Sequence, residues 1–492
     1  MLDHPLYKLI KNAVIYGLGQ ILSRFMGFLL LPLFTAYLSP KDYGVIAILN
    51  VMNLVVTSIF SLGFGAATGL CYFASDDPFR KADTIWTSVF ILAMSVLAMS
   101  LTAIVIPHHI SEVLFHTSVH AHLVTLSLLS AGTIILNSQF MLHLMFEQRA
   151  VLYVVITTII TMLSLGLSLL TVVFLGKGVA GVIESLLIAN IVGFVLLIIP
   201  TVRDLPLRLN RAIARELFRF GIPLIPSALF IFMLQQGNQY ILERLRGLDE
   251  VGVYVIGFNF GIVMNYLVSA FTTSWYPHFM SYMDRQGEVQ NTFGRIATAY
   301  IIGIGAASLV FYAMAKPLIT TMTQPPFHAA YKVVGMAATA FTLSGFFSVL
   351  LPAVYFAKEV KYITVIQGAA ALIALLLNLV LIPLLGMTGA ALALLLGHFA
   401  MVALQYAWNH YRRRDYLQIQ YEWKRIFRFC VFYLVFASFT LWPRQLSLAY
   451  EMVLSGFFTF VLLFALFMSL TVSEKRFLYS MLHQFKSQTF FA

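Results

Sequence analysis

Fourteen apolar runs follow one another along the chain with only short polar breaks between them. Most reach the roughly 20 residues of helix that the hydrocarbon core of a bilayer takes to cross. The first covers about residues 13–38 and the last about 449–471; two others, 43–73 and 251–282, exceed the minimum span and imply tilt or extension beyond the bilayer. Such a chain has lipid as its solvent. Of its 492 residues 60% are hydrophobic and 10% charged, and its mean hydropathy of +0.88 lies far from that of a soluble domain. The expected fold class is an all-α polytopic membrane protein of about 14 transmembrane helices.

No segment remains for a sizeable soluble domain, because the longest charge-rich stretches, Arg203–Arg219 and His410–Arg428, are loop-sized. The chain carries no Walker A loop, HExxH or GxSxG motif, and Asp76-Asp77 lies on an inner loop without catalytic surroundings. It therefore reads as a transporter and not an enzyme, with no catalytic residue and no cofactor. Uphill transport would draw on a proton or sodium gradient or on the gradient of the substrate itself. Cys71 and Cys430 each lie in an apolar run without metal or disulfide spacing. The run after the basic Met1–Lys11 is too long for a signal peptide, and Leu38-Ser39-Pro40 is no small-residue cleavage site. The first helix is thus expected to be retained.

Placing the N-terminus in the cytoplasm puts the large majority of the 31 Lys and Arg residues on inner loops and leaves only Arg24 in mid-helix. With an even number of spans the C-terminus is cytoplasmic too. The net charge of +11 is then a consequence of topology and of attraction to anionic membrane lipids, and a nucleic-acid partner is not expected.

At an offset of 208 residues, Asp42-Tyr43-Gly44-Val45 falls on Glu250-Val251-Gly252-Val253, and Gly178-Val179-Ala180-Gly181 falls on Gly386-Met387-Thr388-Gly389. Two loops sharing one offset argue for duplication, with two parallel six-helix repeats related by an axis along the membrane normal. The expected organisation is an N-terminal half at 1–202, a basic cytoplasmic linker at 203–219, a C-terminal half at 220–410, a basic loop with two further helices at 411–472, and a cytoplasmic tail at 473–492. Two such bundles suit alternating access.

Arg24 is the deepest charge in the sequence, and such residues usually face a bundle interior or a watery cavity. Guanidinium forks suit phosphate oxygens, while a brace hydrogen-bonded to helix carbonyls is the alternative. Gln20 shares its face, and Asn50, Asn53 and Thr57 form a stripe on the second run. Gln235, Asn238 and Gln239 line one face of the seventh, and Asn259, Tyr266 and Thr273 recur every seven residues on the eighth. Amides, hydroxyls and a ring fit a sugar-accommodating cavity, and equally fit interhelical hydrogen bonding. Glu184, about 6 Å inside its helix end at 1.5 Å per residue, is the candidate for ion coupling. Among His108, His109, His116, His120 and His122 only the His116/His120 pair has helical ligand spacing, and no metal site is expected. Pro32, Pro223, Pro226 and Pro352 are expected to interrupt the first, seventh and tenth helices.

The segment Asn12–Val45, with Ser23-Arg24 in mid-helix and the closing Leu38-Ser39-Pro40 to Tyr43-Gly44, resembles the opening of bacterial polysaccharide transporters. These are the O-antigen (Wzx-type) flippase branch of the multidrug/oligosaccharidyl-lipid/polysaccharide exporter superfamily. The resemblance implies a V-shaped bundle of two six-helix halves plus two helices in the bacterial cytoplasmic membrane. It further implies outward flipping of undecaprenyl-pyrophosphate-linked oligosaccharide for O-antigen, capsule or exopolysaccharide assembly, alongside a polysaccharide polymerase and chain-length machinery. By carry-over Arg24 would engage the pyrophosphate or first sugars, with Arg149, Arg219 and Lys358 capturing the head group at the inner surface. The related lipid II flippases are more strongly cationic in this region. A multidrug or small-solute antiporter of the same superfamily is the second reading, against which the positive sign of the deep charge counts. A membrane glycan polymerase or ligase is the third, and the short outer loops count against it.

Overall fold

The computed structural model describes residues 30–75, 77–282, 290–412, 417–441 and 448–469. Every regular element among them is helical. In chain order these are α1 (Leu31–Tyr37), α2 (Pro40–Phe60), α3 (Phe64–Phe73), α4 (Pro78–Val105), α5 (Pro107–Phe115), α6 (Ala121–Phe146), α7 (Ala150–Leu169), α8 (Gly178–Asp204), α9 (Arg211–Gly221) and α10 (Ile225–Arg246). There follow α11 (Leu248–Gly261), α12 (Val263–Met280), α13 (Gln290–Met322), α14 (Tyr331–Leu350), α15 (Pro352–Phe356), α16 (Lys361–Leu385), α17 (Met387–Tyr411), α18 (Trp423–Leu441) and α19 (Leu448–Ser469). Eleven stretches are long and apolar enough to cross a membrane, and they fall on the second to twelfth apolar runs. α18 and α19 fall on the last two runs. The chain is a multi-pass membrane protein.

Two runs and the basic linker differ from their expected form. The run at 43–73 is broken between α2 and α3, where Leu62 and Gly63 take positive φ of 54° and 69°. The break lets a second backbone approach: a Cβ on Gly63 would lie 2.1 Å from the Gly221 carbonyl oxygen, and one on Gly221 would lie 2.3 Å from that of Leu62. The run at 251–282 is broken at Ile262, so the stripe of Asn259, Tyr266 and Thr273 is divided between α11 and α12 instead of lying on one helix. Within the basic segment 203–219, Arg211 onward forms α9, capped by the Asn210 side chain accepting from Ala212 N at 2.9 Å. Ile213 and Leu217, four apart, are buried, whereas Arg211, Arg215 and Arg219 at the same spacing are exposed. Counting charges conceals this two-sided pattern.

The chain divides into two compact units. Of the described residues, one comprises those up to Val255 with Met322–Phe327 and Leu375–Ala390, and the other comprises those from Ile256 to Thr321, His328–Ala374 and those from Ala391 on. In the first, Phe64, Cys71, Leu92, Met99, Ile135 and Leu217 close one core beside α3, α4, α6 and α9. A second core gathers Tyr72, Trp86, Phe140, Ile156 and Leu197. The segment leading to α9 is tied to α4 by Asp83, whose carboxylate accepts from Arg208 Nε at 2.9 Å and Asn210 Nδ2 at 3.0 Å. In the second unit an aromatic core forms around Trp275, Phe279, Phe293 and Tyr300, and another joins α13 to α18 and α19 through Leu309, Phe429, Phe436 and Leu462.

The repeat recurs in backbone geometry within the first unit. Gly178 and Gly386, equivalent at the offset of 208, both take positive φ, 54° and 58°. A Cβ on Gly44 would lie 2.0 Å from Leu248 O, and one on Gly252 would lie 1.8 Å from Pro40 O. The two equivalent glycines therefore bring the first turns of α2 and α11 into backbone contact.

Candidate functional site

α2 begins at a capping box in which Ser39 Oγ accepts from Asp42 N, while Asp42 Oδ2 accepts from Ser39 N at 2.9 Å. This fixes the register that carries Asn50 and Asn53 to one face, three residues apart. Both border a cavity of about 240 Å³ in the first unit, walled by α1, α2, α6, α7 and α8. Its polar lining continues with Tyr43, Ser127, Ser130, Ser164 and Ser168, with mainly Leu and Ile side chains between them. Ser127 Oγ donates to Asn53 Oδ1 at 3.0 Å, and the buried Ser130 Oγ has no partner among the described residues. Among the described residues the lining holds no charged side chain. It can offer hydroxyls and amides to a neutral polar ligand, and the unpaired Ser130 hydroxyl favours an occupant that hydrogen-bonds.

The other candidate residues are distributed differently. Arg24 and Gln20 lie outside the described residues. Asn238 and Gln239 are buried on α10; Asn238 Nδ2 donates to Tyr254 Oη at 2.5 Å and to Ala390 O at 3.3 Å, which is an interhelical tie. Gln235 is half-buried on the same helix. Asn259 is exposed and Tyr266 half-buried, both in the second unit. Arg149 is bound to Asp204 Oδ2 at 2.8 Å, Arg219 is exposed on α9, and Lys358 is exposed with a φ of 59°. Glu184 is held by Lys177 Nζ at 2.6 Å. His120 packs its ring against Phe115, whereas His116 meets Arg244, so the two imidazoles have separate partners.

The sequence reading passed over the four serines and also a cluster at one end of the first unit. Ser127 and Ser130 are three apart and Ser164 and Ser168 four apart, a helical period that could have marked them. In the cluster, Arg244 donates to Val113 O at the end of α5 and to Tyr240 Oη, and its guanidinium also stacks over the Tyr240 ring at 4.8 Å. Nearby, Arg246 Nη2 donates to Pro383 O at 2.6 Å and Glu250 Oε1 accepts from Met387 N at 2.7 Å. These bonds join α5, α10, α11 and the turn between α16 and α17.

A family model described as "Polysaccharide biosynthesis protein" matches residues 9–283, more than half of the chain. The chain belongs to this family. No curated protein matches it. Among solved structures, the lipid II flippase MurJ in an inward closed conformation is similar with a TM-score of 0.72 and 13% identity, covering 91% of this chain and 98% of that one. An inward-facing multidrug resistance MATE family transporter of the MOP superfamily gives 0.60 and 14%, covering 78% and 93%. An outward-facing one gives 0.60 and 14%, covering 82% and 95%. This polysaccharide biosynthesis protein thus has the MOP-type transporter fold, and its polar cavity lies in the first compact unit.

Proposed function

We propose that the chain is a flippase that moves undecaprenyl-pyrophosphate-linked oligosaccharide from the inner to the outer leaflet of the bacterial cytoplasmic membrane, supplying O-antigen, capsule or exopolysaccharide assembly. The observation that carries this reading is the cavity lined by the amides of Asn50 and Asn53 and by four serines, uncharged among the described residues, within the span-forming helices of a polysaccharide biosynthesis protein. A glycan presents many hydroxyls and little charge, so it matches hydroxyl and amide partners one for one. The glycan would cross through the protein while the prenyl tail stays in lipid, and the two repeats would open to each side in turn. Arg24 would meet the pyrophosphate, and Arg219 and Lys358 would gather the head group at the inner surface. Coupling to a proton or sodium gradient belongs to the same proposal; Glu184 would have to exchange Lys177 for the ion. A polymerase and chain-length machinery would receive the product.

The antiport alternative asks for an acid facing a cationic drug, and the described lining of this cavity contains none. The deciding experiment is translocation in proteoliposomes, scored by exposure of an enzyme-cleavable undecaprenyl-pyrophosphate oligosaccharide, with wild type, Asn53→Leu and Arg24→Ala. Translocation by wild type that falls at least tenfold in Asn53→Leu supports the reading. No wild-type translocation, with cation efflux instead, would overturn it.

A further inference from the structure

The second unit contains a pocket that the translocation scheme does not use. Ahead of α18 run residues 417–422, which belong to no helix. Leu417, Ile419 and Tyr421 pack toward the aromatic core, while Gln418 and Gln420 are exposed, the alternation of a strap with one buried face. The strap is anchored to the first turn of α13: Gln420 N donates to Gln290 O at 3.2 Å. A Cβ on Gly294 would lie 1.7 Å from Gln420 O, so this contact requires glycine.

Between the strap and the last turns of α17 lies a cavity of about 220 Å³. Its walls are aromatic and its corners polar. The rings of Tyr406 and Trp423 are 5.2 Å apart at 78°, and those of Tyr421 and Trp423 are 5.4 Å apart at 53°. The His410 ring lies 6.2 Å from Tyr406 at 23°. Asn409 is fixed by Gln405 Nε2, which donates to its Oδ1 at 2.8 Å, and by its own Nδ2 donating to Leu350 O at 3.0 Å. Those bonds occupy half of the capacity of a side-chain amide. Gln418 adds a second amide to the lining.

We propose that this pocket is a saccharide subsite that holds one pyranose ring of the glycan at the cytoplasmic surface before translocation. The negative π-face of an aromatic ring attracts the C–H face of a sugar, and the amides and imidazole answer its hydroxyls. The volume lies below the roughly 300–1,000 Å³ of drug-sized sites and so suits a single ring. The proposal rests on the flippase reading for the identity of the glycan, and on the pocket alone for the chemistry of the ligand.

The test uses the full-length protein in nanodiscs with three probes: the lipid-linked oligosaccharide of the flipping assay, the free oligosaccharide released from it by mild acid, and undecaprenyl pyrophosphate alone. Binding is read by tryptophan fluorescence and by thermal shift for wild type, Trp423→Ala, Trp423→Phe and Gln418→Ala. Trp423 and Gln418 are exposed, so these changes leave the core intact. Both oligosaccharide probes should bind wild type and Trp423→Phe, and should bind Trp423→Ala roughly tenfold more weakly, whereas undecaprenyl pyrophosphate should bind all four alike. Equal oligosaccharide binding by wild type and Trp423→Ala would overturn the subsite and leave the rings as interfacial anchors. Trp423-dependent binding of free oligosaccharide by a protein that does not flip would keep the subsite and reject the flippase reading. Flipping by wild type with no Trp423 dependence of binding would do the reverse.

Discussion

Gly44 and Gly252, equivalent positions of the two repeats, meet backbone to backbone: a Cβ on Gly252 would lie 3.1 Å from Gly44 N and 1.8 Å from Pro40 O. Neither obstacle is a flexible side-chain end, so a methyl group at either position must push α2 and α11 apart. Gly252→Ala and Gly44→Val are expected to lower stability by about 1–3 kcal/mol, the cost of overpacking. Gly65→Ala is the control, because nothing lies within 4 Å of its added carbon, and it should hold or raise stability by removing backbone freedom from the unfolded chain. Thermal unfolding in detergent separates these outcomes; a Gly252→Ala protein as stable as wild type would show that the contact has slack.

Arg244 binds the Val113 carbonyl, Tyr240 and the His116 ring at once. Five donors in a rigid fork serve several acceptors together, which an ammonium cannot reproduce. Arg244→Ala and Arg244→Lys should both release the end of α5 and raise labelling of Ser127→Cys by a membrane-impermeant maleimide added outside, in a Cys71→Ser/Cys430→Ser background. Labelling unchanged from the parent would show that these bonds do not hold this end shut.

An ion pair recurs in the two repeats with its signs exchanged. Arg149 binds Asp204 at 2.8 Å in the first unit, and Glu359 binds Arg412 at 2.8 Å in the second. Arg412 stands 208 residues after Asp204 and Glu359 stands 210 after Arg149. The turns agree as well: Arg149 N donates to Leu144 O, five residues back, and Glu359 N to Val354 O. The geometry therefore accepts either polarity. Arg149→Glu alone should cost about 1 kcal/mol or less, given the partial exposure of both groups. The exchanged pair Arg149→Glu/Asp204→Arg should recover most of it in thermal unfolding, and an exchange worse than the single change would reject the equivalence.

The long apolar runs made the helices legible, because lipid leaves the backbone no other partner than itself. The breaks at Leu62-Gly63 and Ile262 were not legible. Hydropathy continues through both; at Leu62-Gly63 the signals are a positive φ and a close backbone approach that only the folded chain displays, and at Ile262 the backbone stays right-handed and only the helical hydrogen bonding is interrupted. Asn50 and Asn53 were found as a stripe, since their spacing carries the information. The serines beside them come from α6 and α7, up to 118 residues away, and no local pattern links them. Asn238 has the same composition signal as Asn53, and only its partners, Tyr254 and Ala390, distinguish a tie from a lining.

Lys316 and Glu451 form the ion pair that joins α13 to α19, at 2.5 Å, with side-chain exposures of 27% and 8%. The asymmetry of burial decides which partner is costlier to lose. With Glu451→Gln the lysine can extend its flexible stem toward water, and the loss should be about 1–2 kcal/mol. With Lys316→Met the carboxylate is left charged in a buried site, and the loss should approach about 3 kcal/mol. Replacing both by methionine removes the stranded charge and should cost less than Lys316→Met alone. A double-mutant cycle on thermal unfolding measures all three; a double variant as damaged as the lysine variant would mean that α19 is held through this contact by packing and not by charge.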